Sequence, residues 1–104
     1  MLKYYILEGK TPVAVESFKD WNLWMASVSF GDTTVMYNEF NDCLISTKFV
    51  GIDLALSVGP KPMVFETLVI GGVMDGKKNF YPTWDEAIQG HIKICGQVHK
   101  FTKS

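Results

Sequence analysis

Between residues 83 and 98 the sequence places Trp84, Ala87, Ile88, His91, Ile92, Cys95 and Val98 at intervals of three and four, the spacing of one helical face. Such a face has to be buried, so the rest of the chain must supply a surface that receives it. Thr83 precedes the first turn and Glu86 follows three residues later, the pattern of a capping box that starts a helix. The pattern recurs at Ser17 and Asp20, around Phe18, Trp21, Trp24, Met25 and Val28. It predicts a first helix of about three turns, closed by Gly31 and Asp32.

The receiving surface is a sheet. Residues 2–7 carry the β-favouring Tyr4, Tyr5 and Ile6, and a turn at Glu8, Gly9 and Lys10 leads into a short strand over 12–15. Residues 33–37 resume with β-branched and aromatic side chains. Cys43, Ile45, Thr47, Phe49 and Gly51 then alternate with Leu44, Ser46, Lys48 and Val50, and the first set is the better core face. Ser57, Gly59, Pro60 and Pro62 mark 54–62 as a loop. Residues 63–70 form the next strand, which leaves through Gly71-Gly72 and Asp75-Gly76, and 79–81 add a short last one. Links this short join antiparallel neighbours, because a parallel pair needs a crossover of about a dozen residues. The expectation is one α+β domain over residues 1–104: a single antiparallel β-sheet with two helices packed on one face.

Composition narrows the function classes. At 47% hydrophobic the chain has ample core material, which excludes a disordered or fibrous protein. Glu66 interrupts the apolar stretch of 63–73, so no membrane span of about 18 residues is expected, and the short apolar start reads as a strand. A cytoplasmic protein follows, in which Cys43 and Cys95 are expected as buried free thiols. A net charge of −1 argues against electrostatic capture of nucleic acid. All ten basic residues are lysines, which removes the side chain best suited to bidentate contact with phosphate or guanine.

The stretches Ile45-Ser46-Thr47-Lys48-Phe49-Val50-Gly51-Ile52-Asp53, Gly59-Pro60-Lys61-Pro62-Met63-Val64-Phe65-Glu66-Thr67, Gly71-Gly72 and Tyr81-Pro82-Thr83-Trp84-Asp85-Glu86-Ala87 through Gly90-His91, with Tyr4-Tyr5-Ile6-Leu7 and Lys10-Thr11-Pro12-Val13, cover most of the chain. In these stretches it resembles a family of small uncharacterised proteins encoded by tailed bacteriophages and prophages. The family pattern has a histidine after the aspartate, where this chain has Leu54, so no imidazole role carries over to that position. The resemblance implies a phage accessory protein made in the host cytoplasm, and it is silent about activity.

The candidate site residues are Asp53, Glu66, His91, Trp21, Trp24 and Lys61. Glu66 sits in mid-strand, where a buried carboxylate needs a partner. His91 lies on the apolar helical face and could donate to Glu66 or Asp53. A satisfied core histidine outweighs an acid/base pair as the explanation, because buried polar groups are normally hydrogen-bonded. His91, Cys95 and His99 imitate a metal stripe, yet His91 and His99 stand about 12 Å apart on a helix rising ~1.5 Å per residue, too far for one ion. Gly9-Lys10-Thr11 imitates a phosphate loop, but Tyr4 stands where its first glycine belongs and Pro12 opens a strand. No metal, cofactor or catalytic residue is expected.

Trp21 and Trp24 cannot both point down one line to the sheet, so apolar surface is left over on the first helix, and leftover surface suggests an interface. The 54–62 loop is the second binding candidate, with Lys61 in it and Lys77-Lys78 at a later loop tip. Three expectations compete. The first is a non-catalytic module that binds a host protein in host takeover or inhibition of a bacterial defence system. The second is a small-ligand or nucleotide-signal sequestering protein with its pocket near Asp53, Glu66 and His91. The third is an enzyme using Glu66 and His91. Small size and apolar surplus also make a homodimer a reasonable expectation, although no residue specifies it.

Overall fold

The computed structural model describes residues 3–53 and 61–102. The chain runs β1 (Tyr4–Glu8), β2 (Thr11–Val15), α1 (Phe18–Ser27), α2 (Phe30–Thr33), β3 (Thr34–Phe40), β4 (Cys43–Phe49), β5 (Phe65–Ile70), β6 (Lys78–Tyr81) and α3 (Trp84–Thr102). Most of the expected 54–62 loop lies outside the described residues. The α+β class holds, but two antiparallel sheets carry it instead of one: β1 with β2, and β3-β4-β5-β6 in that order.

Gly51 is where the two sheets part. Its backbone takes a φ of +76°, a left-handed bend that ends the β4 ladder just past Phe49. The hairpin backbone is tied to the chain at that bend, where the Tyr5 amide donates to the Gly51 carbonyl at 2.8 Å and Tyr4 bridges to Ile52. The Trp21 indole closes over the bend. A Cβ on residue 51 would stand 2.4 Å from Trp21 Nε1 and 2.7 Å from the Tyr5 carbonyl oxygen.

The expected pair of helices on one face also needs correction. Gly31 and Asp32 do not stop a helix; they lie inside the one-turn α2, where the Asp32 carboxylate accepts from the Ser29 amide and hydroxyl, both at 3.0 Å. Only α3 spans the four-stranded sheet, while α1 packs on the β1–β2 hairpin. The caps at Ser17 and Thr83 form as expected on the hydroxyl side, accepting from the Asp20 amide at 3.1 Å and the Glu86 amide at 3.1 Å. Glu86 meets the Thr83 hydroxyl at 3.2 Å instead of reaching the backbone.

The covered sheet face is the one anticipated from alternation. Cys43, Ile45, Thr47, Phe49 and Gly51 are buried, and antiparallel register puts Phe65, Thr67 and Val69 of β5 beside them. From α3 the buried stripe is Ala87, His91, Ile94 and Val98. Ile92, expected inside, is 51% exposed, and Ile94 takes its place. The helix therefore sits rotated from the face drawn through residues 88, 92 and 95. Two apolar clusters result, one around Leu7, Phe49, Val64, Phe65 and Ala87 and the other around Cys43, Ile45, Val69, Ile94 and Val98. Thr47, Thr67 and His91 are the buried polar residues of the same layer.

Candidate functional site

Alternation along β4 and β5 turns the Thr47 and Thr67 side chains toward α3, and register sets the two residues opposite each other. Their hydroxyls lie 2.5 Å apart. Thr47 Oγ1 is also 2.7 Å from His91 Nδ1, and His91 Nε2 is 2.7 Å from Asn38 Oδ1 on β3. These partners fix the proton positions. Asn38 Oδ1 accepts, so Nε2 carries the imidazole hydrogen and donates it; Nδ1 then accepts from the Thr47 hydroxyl, which in turn accepts from Thr67. The Cys95 thiol donates to the same Asn38 oxygen at 3.7 Å.

Both ring nitrogens are therefore engaged, and neither partner is the carboxylate anticipated from the sequence. Glu66 alternates to the opposite sheet face, where it lies across from Lys48 on β4 and Phe80 on β6. Asp53 sits beyond the end of β4 and accepts from the Met63 amide at 3.0 Å, tying together the two sides of the 54–62 connection. The sequence candidates His91, Glu66 and Asp53 thus fall in three separate places. Lys61, within that connection, is exposed.

The chemistry open to the network is limited by its burial. His91, Thr47 and Thr67 are fully buried between helix and sheet, so no substrate touches them while α3 is seated. Burial without a charged partner lowers the His91 pKa from its ordinary value of 6.5, which keeps the ring neutral. The thiols are equally unreactive. Cys43 is raised by burial and further by Asp42 and Asp75, and Cys95 by burial and then by Cys43. Both are free cysteines. Among the described residues no group of three or more His, Cys, Asp or Glu could hold a metal ion. No described helix is long and apolar enough to cross a membrane.

The helix α1 differs in kind. It fully buries none of its residues, although it carries Phe18, Trp21, Leu23, Trp24 and Met25. Trp24 meets the core edge-on at Phe49, with ring centroids 5.9 Å apart. Trp21, Phe18 and Tyr4 form a three-ring cluster with every pair of centroids at 5.6 Å. Phe18 remains 55% exposed and Leu23 59% exposed. The two tryptophans singled out from spacing therefore serve different ends, Trp24 toward the core and Trp21 in a surface cluster. On its other flank Trp21 joins Met25, Val28, Ser29, Thr33, Lys48, Phe49 and Val50 around an open cavity of about 490 Å³.

Asn38, Thr47 and Thr67 escaped the sequence reading as members of a network. One signal was present: both threonines occupy strand positions in phase with Ile45, Phe49, Phe65 and Val69, which marks a polar pair aimed into the core. Phe18 and Leu23 carried no comparable mark, because exposure on an amphipathic helix depends on what packs against it. Compared with protein family models, curated proteins and solved structures, the chain matches none. What the fold itself defines is a small α+β protein with a two-stranded hairpin flanking a four-stranded antiparallel sheet.

Proposed function

We propose that this chain acts by binding another protein, without chemistry of its own, as a phage accessory protein that engages a host protein. One observation carries the reading: α1 buries no residue completely and presents Phe18 and Leu23 more than half exposed, Phe18 within a cluster of three aromatic rings packed edge-on and tilted with Tyr4 and Trp21. Aromatic anchors of this kind supply most of the energy of typical interfaces. The sealed, neutral His91 network supports the non-catalytic half of the reading. The phage resemblance supplies the host as the source of the partner, with takeover of host metabolism or inhibition of a defence system as its purpose.

Affinity capture from bacterial lysate tests this when wild type is compared with Phe18→Ser and Leu23→Ser. The expected result is a host protein retained by wild type and lost from both variants, while all three remain folded. Equal recovery on wild type and variants, or nothing above background, refutes it. A second reading has its own observation in the cavity beside Trp21 and Lys48, which suits a small molecule with an apolar body and an anionic end. Mass spectrometry of molecules released on denaturation distinguishes it.

A further inference from the structure

The four-stranded sheet has a second face, and the described helices leave it open: α3 lies on the other side, and α1 and α2 reach only its Lys48 corner. Register lays this face out in three rows. The middle row reads Tyr37, Ser46, Leu68, Lys78 across β3 to β6. The row toward one end reads Glu39, Leu44, Ile70 across β3 to β5, and the row toward the other reads Thr34, Lys48, Glu66, Phe80 across β3 to β6. Tyr37 is 54% exposed and Ile70 48% exposed. Neither Lys48 nor Glu66 makes an ion pair within the described chain.

We propose that this face is the contact between two copies of the chain, related by a twofold axis that runs parallel to the strands between β4 and β5. Charges and apolar side chains at the centre of the face match under that operation. Rotation about such an axis keeps each row at its own level and exchanges β4 with β5, so Lys48 of each copy faces Glu66 of the other. Leu44 then faces Ile70, Ser46 faces Leu68, and Tyr37 faces Lys78, a cation set over an aromatic ring. A twofold axis across the strands does the opposite. It sets Leu44 over Lys48 and Ile70 over Glu66, burying each charge against a hydrocarbon. Sheets packed face to face stand about 10 Å apart, a gap that extended lysine and glutamate side chains span together.

Size sets the strength. Four strands about 4.8 Å apart and three rows about 7 Å apart give a footprint of roughly 400 Å². Stable complexes bury about 800 Å² per partner, so this contact is about half that size and the dimer is expected to be weak and concentration-dependent.

Sedimentation equilibrium across the micromolar range is the test, with circular dichroism confirming that each variant is folded. Wild type is expected as a concentration-dependent dimer. Lys48→Glu and Glu66→Lys each set like charges opposite one another at two symmetry-related contacts and weaken it by about tenfold. The double variant K48E/E66K restores opposite charges and brings the dimer back. Should the charge variants not fold, Ile70→Lys at an exposed position serves instead and abolishes the dimer. A monomer at every concentration overturns the proposal and leaves the face to a partner of another kind. A dimer indifferent to both single reversals, or to Ile70→Lys, or a double variant as weak as the singles, overturns this face as the contact.

Discussion

Replacing His91 by leucine tests how the core was assembled. The ring is fully buried and joined to Thr47 and Asn38, each at 2.7 Å. Leucine restores most of the volume, so the cavity term is small. What remains is the hydroxyl of Thr47, which loses its acceptor; one donor of the Thr47–Thr67 pair is then buried and orphaned, at a cost of about 1–3 kcal/mol. Asn38 is only half-buried and turns to water at little cost. The triple variant His91→Leu, Thr47→Val, Thr67→Val removes the three fully buried polar side chains of this layer together. Replacing both partners with apolar groups of like shape is nearly neutral, so it should recover most of the loss, to within about 1 kcal/mol of wild type. Urea unfolding with a shared m-value measures both. A single variant as stable as wild type, or a triple variant less stable than the single, would show that hydrogen bonding does not govern this layer.

The same histidine makes stability depend on pH. Because its pKa in the folded chain lies below 6.5, the unfolded chain binds a proton that the native one refuses; His91 contributes fully above pH 6.5 and its contribution is lost as pH falls beneath that value. Urea midpoints followed from pH 7.5 to 5 should show the fall in wild type, and His91→Leu should flatten it. Gly90 and Gly96 on α3 predict opposite signs. A Cβ at Gly90 would stand 2.1 Å from the Tyr81 ring, whereas one at Gly96 meets nothing within 4 Å. Gly96→Ala is expected to stabilise by about 0.5–1 kcal/mol and Gly90→Ala to destabilise by ~1–3 kcal/mol, read as shifts in thermal midpoint. Gly51→Ala meets both a left-handed φ and the Trp21 ring, and is expected to cost about 2–4 kcal/mol with a change in tryptophan emission.

Much of the architecture is legible in short-range pattern. The caps at Ser17 and Thr83, the inward set of β4 and the helical period of α3 are local properties, decided by neighbours three or four residues away or by strict alternation. The sequence by itself therefore determined the α+β class, most of the elements and which face of β4 is buried. Tertiary structure decided the rest. The separation of the hairpin depends on the Gly51 bend and the indole closing over it, which involves residues 5, 21 and 51 at once. The rotation of α3 that buries Ile94 and exposes Ile92 depends on the sheet beneath it. His91 was visible as a buried imidazole, but its partners Thr47 and Asn38 lie 44 and 53 residues away. Apolar periodicity says that a polar group will be buried; only the register of three strands under one helix says which oxygens will meet it.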